Sequence, residues 1–136
     1  MSDKKRIVII VSEKSLDKAM MPMMLATTGA ALGAEVHVFF TFWGLDLLKK
    51  KINPKLKGIM APFTSIMNAM MKKKNIPGFH ELRKQAMELG VKFYACSTTM
   101  ELMGVKKEDL VDGCEVVGAS TFLNLALESD TALFIG

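Results

Sequence analysis

RIVIIV, residues 6–11, is the stretch that decides the fold. After Arg6 every side chain is apolar and β-branched, with no polar residue alternating between them. A strand with one face in water would alternate. An unbroken run of this kind reads as a strand buried on both faces, the signature of a parallel sheet covered by helices on each side. Beyond it, residues 12–14 form a loop, Ser15 is placed to cap a helix, and the helix runs to about Leu32, where Gly33 can end it. Pro22, inside MMPMM at 20–24, predicts a kink or a late start.

The same grammar repeats along the chain. EVHVFFTF (35–42) is a second strand closed by Trp43 and Gly44, with LDLLKK opening a short helix. FHELRKQAMELG (79–90) is a helix ended by Gly90, and VKFYA (91–95) is a third strand. STTMELMG and KKEDLVDG give short helical turns before the fourth strand, EVVGA (115–119). STFLNLALESD is a helix that Ser120 could cap, and TALFIG (131–136) is the fifth strand. Strands joined by helical crossovers predict an α/β fold, a three-layer α/β/α domain over residues 1–136 with a five-stranded, mostly parallel sheet. One connection is long. Residues 53–77 form a Lys- and Met-rich helical insertion, with Ile59, Phe63, Ile66, Met67 and Met70 on one face and Thr64, Ser65 and Asn68 on others. Long insertions in compact domains are usually functional or mobile.

Composition narrows the function. The chain has 136 residues, half of them apolar and 24% charged, which fits one soluble globular domain. The apolar run near the N-terminus is too short for a signal peptide, and no stretch reaches the roughly 20 residues needed to span a bilayer, so a cytoplasmic protein is expected. The net charge of +4 is concentrated in KKKINPKLK (49–57) and KKK (72–74). Such runs are usually solvated, and the sharper reading is attraction to an anionic partner or membrane surface. No recognised nucleic-acid motif accompanies them, so no nucleic acid is expected. Two cysteines without CxxC spacing, and two histidines remote from them in sequence, predict neither a disulfide framework nor a metal site. No GxGxxG or GxxxxGK[ST] occurs, and no cofactor is expected. Twelve methionines are many, and MMPMM with Met60–Met71 holds eight of them. They read as core or oligomer packing, or else as a flap over the site or a basic amphipathic segment that touches a membrane or partner.

In a parallel sheet the strand C-termini share one edge, and ligands bind there. That edge gathers Ser12 and Glu13, Phe42 and Trp43, Cys96 and Ser97, and Ala119 and Ser120. Cys96 is the one strong nucleophile among them. If Ser97 or Thr98 opens a helix, free amides and the positive helix end favour thiolate and can hold an anion bound to sulfur. The plainer reading is a small buried apolar residue. Cys114 precedes the fourth strand and belongs at the opposite edge, so a Cys96–Cys114 pair is not expected. His37 reads as buried and hydrogen-bonded and His80 as solvated, which leaves no Cys-His catalytic pair.

RIVIIVSEKSLDKA, EVHVFFTFWGLDLLKK, FYACSTTMELMGV and EVVGASTFLNLALESD together resemble the DsrE/DsrF-like superfamily, and within it the DsrE-like subgroup formerly labelled peroxiredoxin-like. The most specific marks are FFTFWGL and the C-S/T-x-x-M-x-x-M-G segment. The resemblance implies homo-oligomers and sulfur trafficking through a strand-end cysteine, here Cys96. That thiol would accept sulfane sulfur as a persulfide or thiosulfonate from small sulfur compounds or donor proteins and pass it to a partner thiol. Ser97 and Thr98 would donate hydroxyl hydrogen bonds, Phe42 and Trp43 would exclude water, and Ser12 and Ser120 share the edge. Some relatives carry a second cysteine close behind the first, whereas the next one here is Cys114. The resemblance also implies possible peripheral membrane contact through residues 55–74. Two other readings stay open: a non-catalytic oligomeric binding or scaffold protein, and a thiol peroxidase, for which no arginine or threonine is evidently placed beside the cysteine.

Overall fold

A computed structural model describes residues 4–136. Its centre is one five-stranded sheet: β1 (Arg6–Val11), β2 (Glu35–Phe40), β3 (Lys92–Cys96), β4 (Glu115–Val117) and β5 (Thr131–Ile135). All neighbouring strands pair in parallel, in the order β4-β3-β2-β1-β5. The chain steps from β1 to β4 in one direction and then crosses back to place β5 beside β1.

The helices are α1 (Leu16–Ala31), α2 (Thr64–Lys73), α3 (Phe79–Glu88), α4 (Ser97–Met103) and α5 (Ala119–Leu127). The larger core lies between the sheet and α1 and α3. It holds Ile9, Val11, Val38, Phe40, Phe93 and Ala95 from the strands and Met23, Ala26, Leu82 and Ala86 from the helices. Burying a side chain such as Phe40 contributes about 1.5–3 kcal/mol over leaving it in water, and Phe40 meets Phe93 edge to face at 5.4 Å. The smaller core is on the other face, where Val8, Phe39 and Cys96 meet Phe122 of α5. Phe122 stacks on Phe39 at 4.6 Å. RIVIIV is therefore covered on both sides, as its composition requires.

The structure corrects several boundaries. α1 begins at Leu16 and runs through Pro22, so the proline marks no late start. β2 stops at Phe40, and Phe42–Leu48 form a 3-10 helix that already contains Trp43 and Gly44. β4 has three residues rather than five, because Gly118 caps α5. Gly44 answers a steric demand: a Cβ there would fall on the Val11 carbonyl oxygen, well inside van der Waals contact. The long connection holds a 3-10 helix (Gly58–Phe63) and α2, and neither contains a buried residue. Its methionine stripe lies mostly outside the core: Ile59 is 90% exposed and Met70 50%, and Met71 alone of these methionines packs partly buried against the larger core. No helix among the described residues is long and apolar enough to cross a membrane.

Candidate functional site

Cys96 ends β3 and is at once the N-cap of α4. Its register partner is Val117, the last residue of β4. The segments that leave these two neighbouring strands part: α4 joins the larger core through Met100, and α5 covers the opposite face through Phe122. Such a divergence at the carboxyl ends of parallel strands is the usual place of a binding crevice. Cys96 stands at this divergence with 6% of its surface exposed.

The groups around the sulfur are polar as well as apolar. Burial works to raise the Cys96 pKa. Against it act the Thr99 hydroxyl, then the Thr99 amide, the Thr41 hydroxyl and the Thr98 amide, and together they hold the thiol below its ordinary value. No cap hydrogen bond to the neutral thiol is formed. The donors act on the charged form, which draws N–H and O–H groups more strongly than S–H does. Thr99 is the hub. Its side chain is almost wholly buried, its Oγ1 accepts the Phe42 amide at 3.1 Å, and it lies 3.2 Å from Thr41 Oγ1. Phe42 sits at φ 49°. That left-handed conformation costs a non-glycine residue about 1 kcal/mol or more, and the bond to Thr99 helps fix it.

The residues expected at the strand edge divide. Cys96, Ser97 and Thr98 are contiguous at the start of α4, and Phe42 joins them through Thr99. Thr98 bears on the sulfur through its amide rather than its hydroxyl. Ser97 turns toward the start of α5, its Oγ 3.7 Å from where a Cβ on Gly118 would stand. Ser12 follows β1, with β2 between it and β3, and donates its amide to Ile135. Ser120 is exposed in the first turn of α5. Trp43 lines a cavity beside β1 instead, where the Lys14 ammonium lies 5.9 Å from its ring centroid. Thr41 and Thr99 went unnoticed in the sequence. The available signal was Thr99 three residues after a capping cysteine, the position from which an N-cap is reached.

The second thiol is chemically different. Cys114 belongs to the larger core, on the face opposite Cys96. Burial pushes its pKa up, against weaker pulls from Lys107 and its own amide. Three residues of β4 correspond to about 10 Å of strand, so the two sulfurs are out of disulfide reach, and both are free. His37 is buried as expected. It bonds Tyr94 Oη and Glu35 Oε2, each at 2.7 Å. His80 is exposed yet bonded at both nitrogens, to Arg83 and to the Ile52 carbonyl.

The fold is that of a small parallel α/β/α protein, and this chain places a cysteine at the carboxyl edge of its sheet. The chain belongs to the DsrE/DsrF/DrsH-like family, whose model matches residues 3–63 and 57–134. It is 38% identical over 158 aligned positions to a protein of Allochromatium vinosum named sulfur carrier protein DsrE2, covering 98% of this chain and 99% of that one. It is 30% identical to the uncharacterized protein YrkE of Bacillus subtilis, with 96% and 97% covered. Among solved structures it resembles the ychN protein of E. coli, with a TM-score of 0.69 at 13% identity over 96% of this chain and 98% of that one. The protein MTH1491 of Methanobacterium thermoautotrophicum gives 0.64 at 16% identity, with 96% and 99% covered. At such identities the structural likeness speaks for the fold alone.

Proposed function

We propose that this protein is a sulfur carrier that accepts sulfane sulfur on Cys96 and hands it to a partner thiol. One observation carries the reading: Cys96 ends a central strand among four donors that favour its thiolate. The kinship with a protein named as a sulfur carrier supports it. The Cys96 thiolate attacks the outer sulfur of a persulfide or polysulfide. The new S–S bond forms as the old one breaks, and the donor leaves as a thiolate or as a polysulfide one sulfur shorter; on tetrathionate the attack falls on an inner sulfur and thiosulfate leaves, and neither route changes the net oxidation state. An acceptor thiolate then attacks the outer sulfur of the Cys96 persulfide and releases Cys96. Exchange of this kind is governed by thiolate fraction and leaving group. The small residual exposure of Cys96 favours small or extended donors. The same amides and hydroxyls that favour the thiolate also favour the anionic persulfide. Cys114, raised in pKa and on the other face, takes no part.

Exposed Leu123, Leu127 and Phe134, on α5 and at the sheet edge, support a homo-oligomer, which sedimentation measures. A second reading is a non-catalytic binding protein held at a membrane surface through residues 55–74. It is favoured by the uncovered stripe of Ile59, Ile66 and Met70 beside Lys72 and Lys73. One experiment separates the two. After incubation with polysulfide or tetrathionate, the intact mass should rise by about 32 Da for a persulfide or about 112 Da for a thiosulfonate, and Cys96→Ser should abolish the gain. An unmodified wild-type protein that floats with lipid vesicles would favour the second reading.

A further inference from the structure

A cavity of about 730 Å³ lies away from Cys96, between the loop after β1 and the start of the long connection. Its volume falls within the range of small-molecule sites. Its apolar wall is Trp43, Ile52, Leu56 and Ala61. Its polar wall carries Lys14, Lys55 and Lys57 against a single carboxylate, Glu13. Lys57 is engaged by Glu13 at 3.7 Å and Lys14 by Asp46 at 3.0 Å, while Lys55 has no ion pair among the described residues.

Ser15 stands on the same wall. It is 8% exposed, and its Oγ is the one buried side-chain polar atom among the described residues that has no hydrogen-bond partner. This is unusual for its position. Ser15 is the N-cap of the 16-residue helix α1, where a serine hydroxyl ordinarily binds the second or third amide of the helix. Here it does not. The Leu16 amide is taken by the Lys55 carbonyl at 2.7 Å, and the amides of Asp17 and Lys18 have no acceptor among the described residues. An orphan hydroxyl, free amides at a positive helix end and an unpaired lysine are the parts of an anion site.

We infer that this cavity binds a small amphiphilic anion, with the acidic head at Ser15 and Lys55 and the apolar body along Trp43 and Leu56. The apolar wall is what rules out a bare inorganic ion as the preferred ligand: such an ion would leave most of the cavity unfilled. The inference is independent of sulfur transfer, and its test involves neither thiol.

Trp43 is the only tryptophan, so its fluorescence reports the cavity directly. Decanoate below its micelle concentration is expected to shift the emission saturably, and methyl decanoate, which lacks the charge, to bind at least about tenfold more weakly, as loss of a charged hydrogen-bond partner implies. Ser15→Ala and Lys55→Gln should each weaken decanoate several-fold. Both should leave thermal stability unchanged, because neither the hydroxyl nor the ammonium makes a hydrogen bond or ion pair among the described residues. In an amide correlation spectrum, the Asp17 and Lys18 signals should move on addition of decanoate. Equal binding of acid and ester, or full affinity in both variants, would overturn the inference. So would a response to phosphatidylglycerol vesicles without one to monomeric decanoate, since contact would then run through the exposed stripe of α2.

Discussion

Thr99→Val is expected to slow alkylation of Cys96 by iodoacetamide at pH 7 about tenfold, the loss of thiolate that one unit of pKa brings. The sign follows from what Thr99 supplies. In the wild-type protein burial raises the Cys96 pKa, but the Thr99 hydroxyl is the foremost of the donors that more than offset it. Without that hydroxyl the folded-state pKa rises, the thiolate fraction at pH 7 falls, and the pH–rate profile moves to higher pH. Valine keeps the branched shape at a site with 2% exposure, so a packing defect is not the expected cause. The Phe42 amide also loses its acceptor, which should loosen the junction between β2 and α4. Thr99→Ser separates chemistry from packing, because it keeps the hydroxyl and removes the methyl. It should restore most of the low-pH reactivity, whereas a purely structural Thr99 would leave valine the better substitute. Wild-type reactivity with its midpoint at or above the ordinary cysteine value of about 8.5 would remove the basis of the proposed carrier chemistry.

What the sequence reveals and conceals here has a physical pattern. RIVIIV announces itself because burial on both faces leaves no room for polar alternation, and that property is local. The place of Cys96 is also legible, since a strand end followed by Ser97 and Thr98 is a local event. The cradle around the sulfur is not. Thr41 and Thr99 are 58 residues apart and meet only because β2 and β3 are neighbours. No periodicity records that contact. Methionine spacing marks a helical face at Ile59, Ile66 and Met70 equally well whether or not anything covers it, and here all three stay at least half exposed. Trp43 follows Phe42 directly, yet the two differ in what they meet: the Phe42 amide bonds Thr99, while Trp43 lines the cavity beside β1. Only the backbone decides that, through the positive φ at Phe42.

Arg83→Leu is expected to destabilise the protein by about 3 kcal/mol, chiefly from the loss of its two hydrogen bonds to backbone carbonyls, each made by a charged donor. Arg83 is only 6% exposed, and no carboxylate pairs with it among the described residues. Burial lowers its pKa, and its charge is met instead by backbone oxygens. Nη1 donates to the Leu47 carbonyl at 2.7 Å and to the Lys49 carbonyl at 2.9 Å, where the 3-10 helix after β2 ends. A cation there suits the negative helix end, and the flat Phe79 ring lies 5.3 Å from the guanidinium carbon. Nη2 donates to His80 Nδ1, and His80 Nε2 in turn donates to the Ile52 carbonyl. One side chain on α3 thus fixes the path of residues 47–52, which lead into the cavity wall at Ile52 and Leu56. Leucine fills the aliphatic part of the space but leaves buried carbonyls without donors, the costly half of any hydrogen-bond deletion. Arg83→Lys should recover part of the loss, because one ammonium nitrogen can donate to both carbonyls as Nη1 does but has no second nitrogen for His80. Chemical denaturation measures the loss, and Trp43 emission in the folded variant should shift as the segment loosens. A folded, fully stable Arg83→Leu protein with unchanged Trp43 emission would mean that those carbonyls find other donors and that α3 does not hold the connection in place.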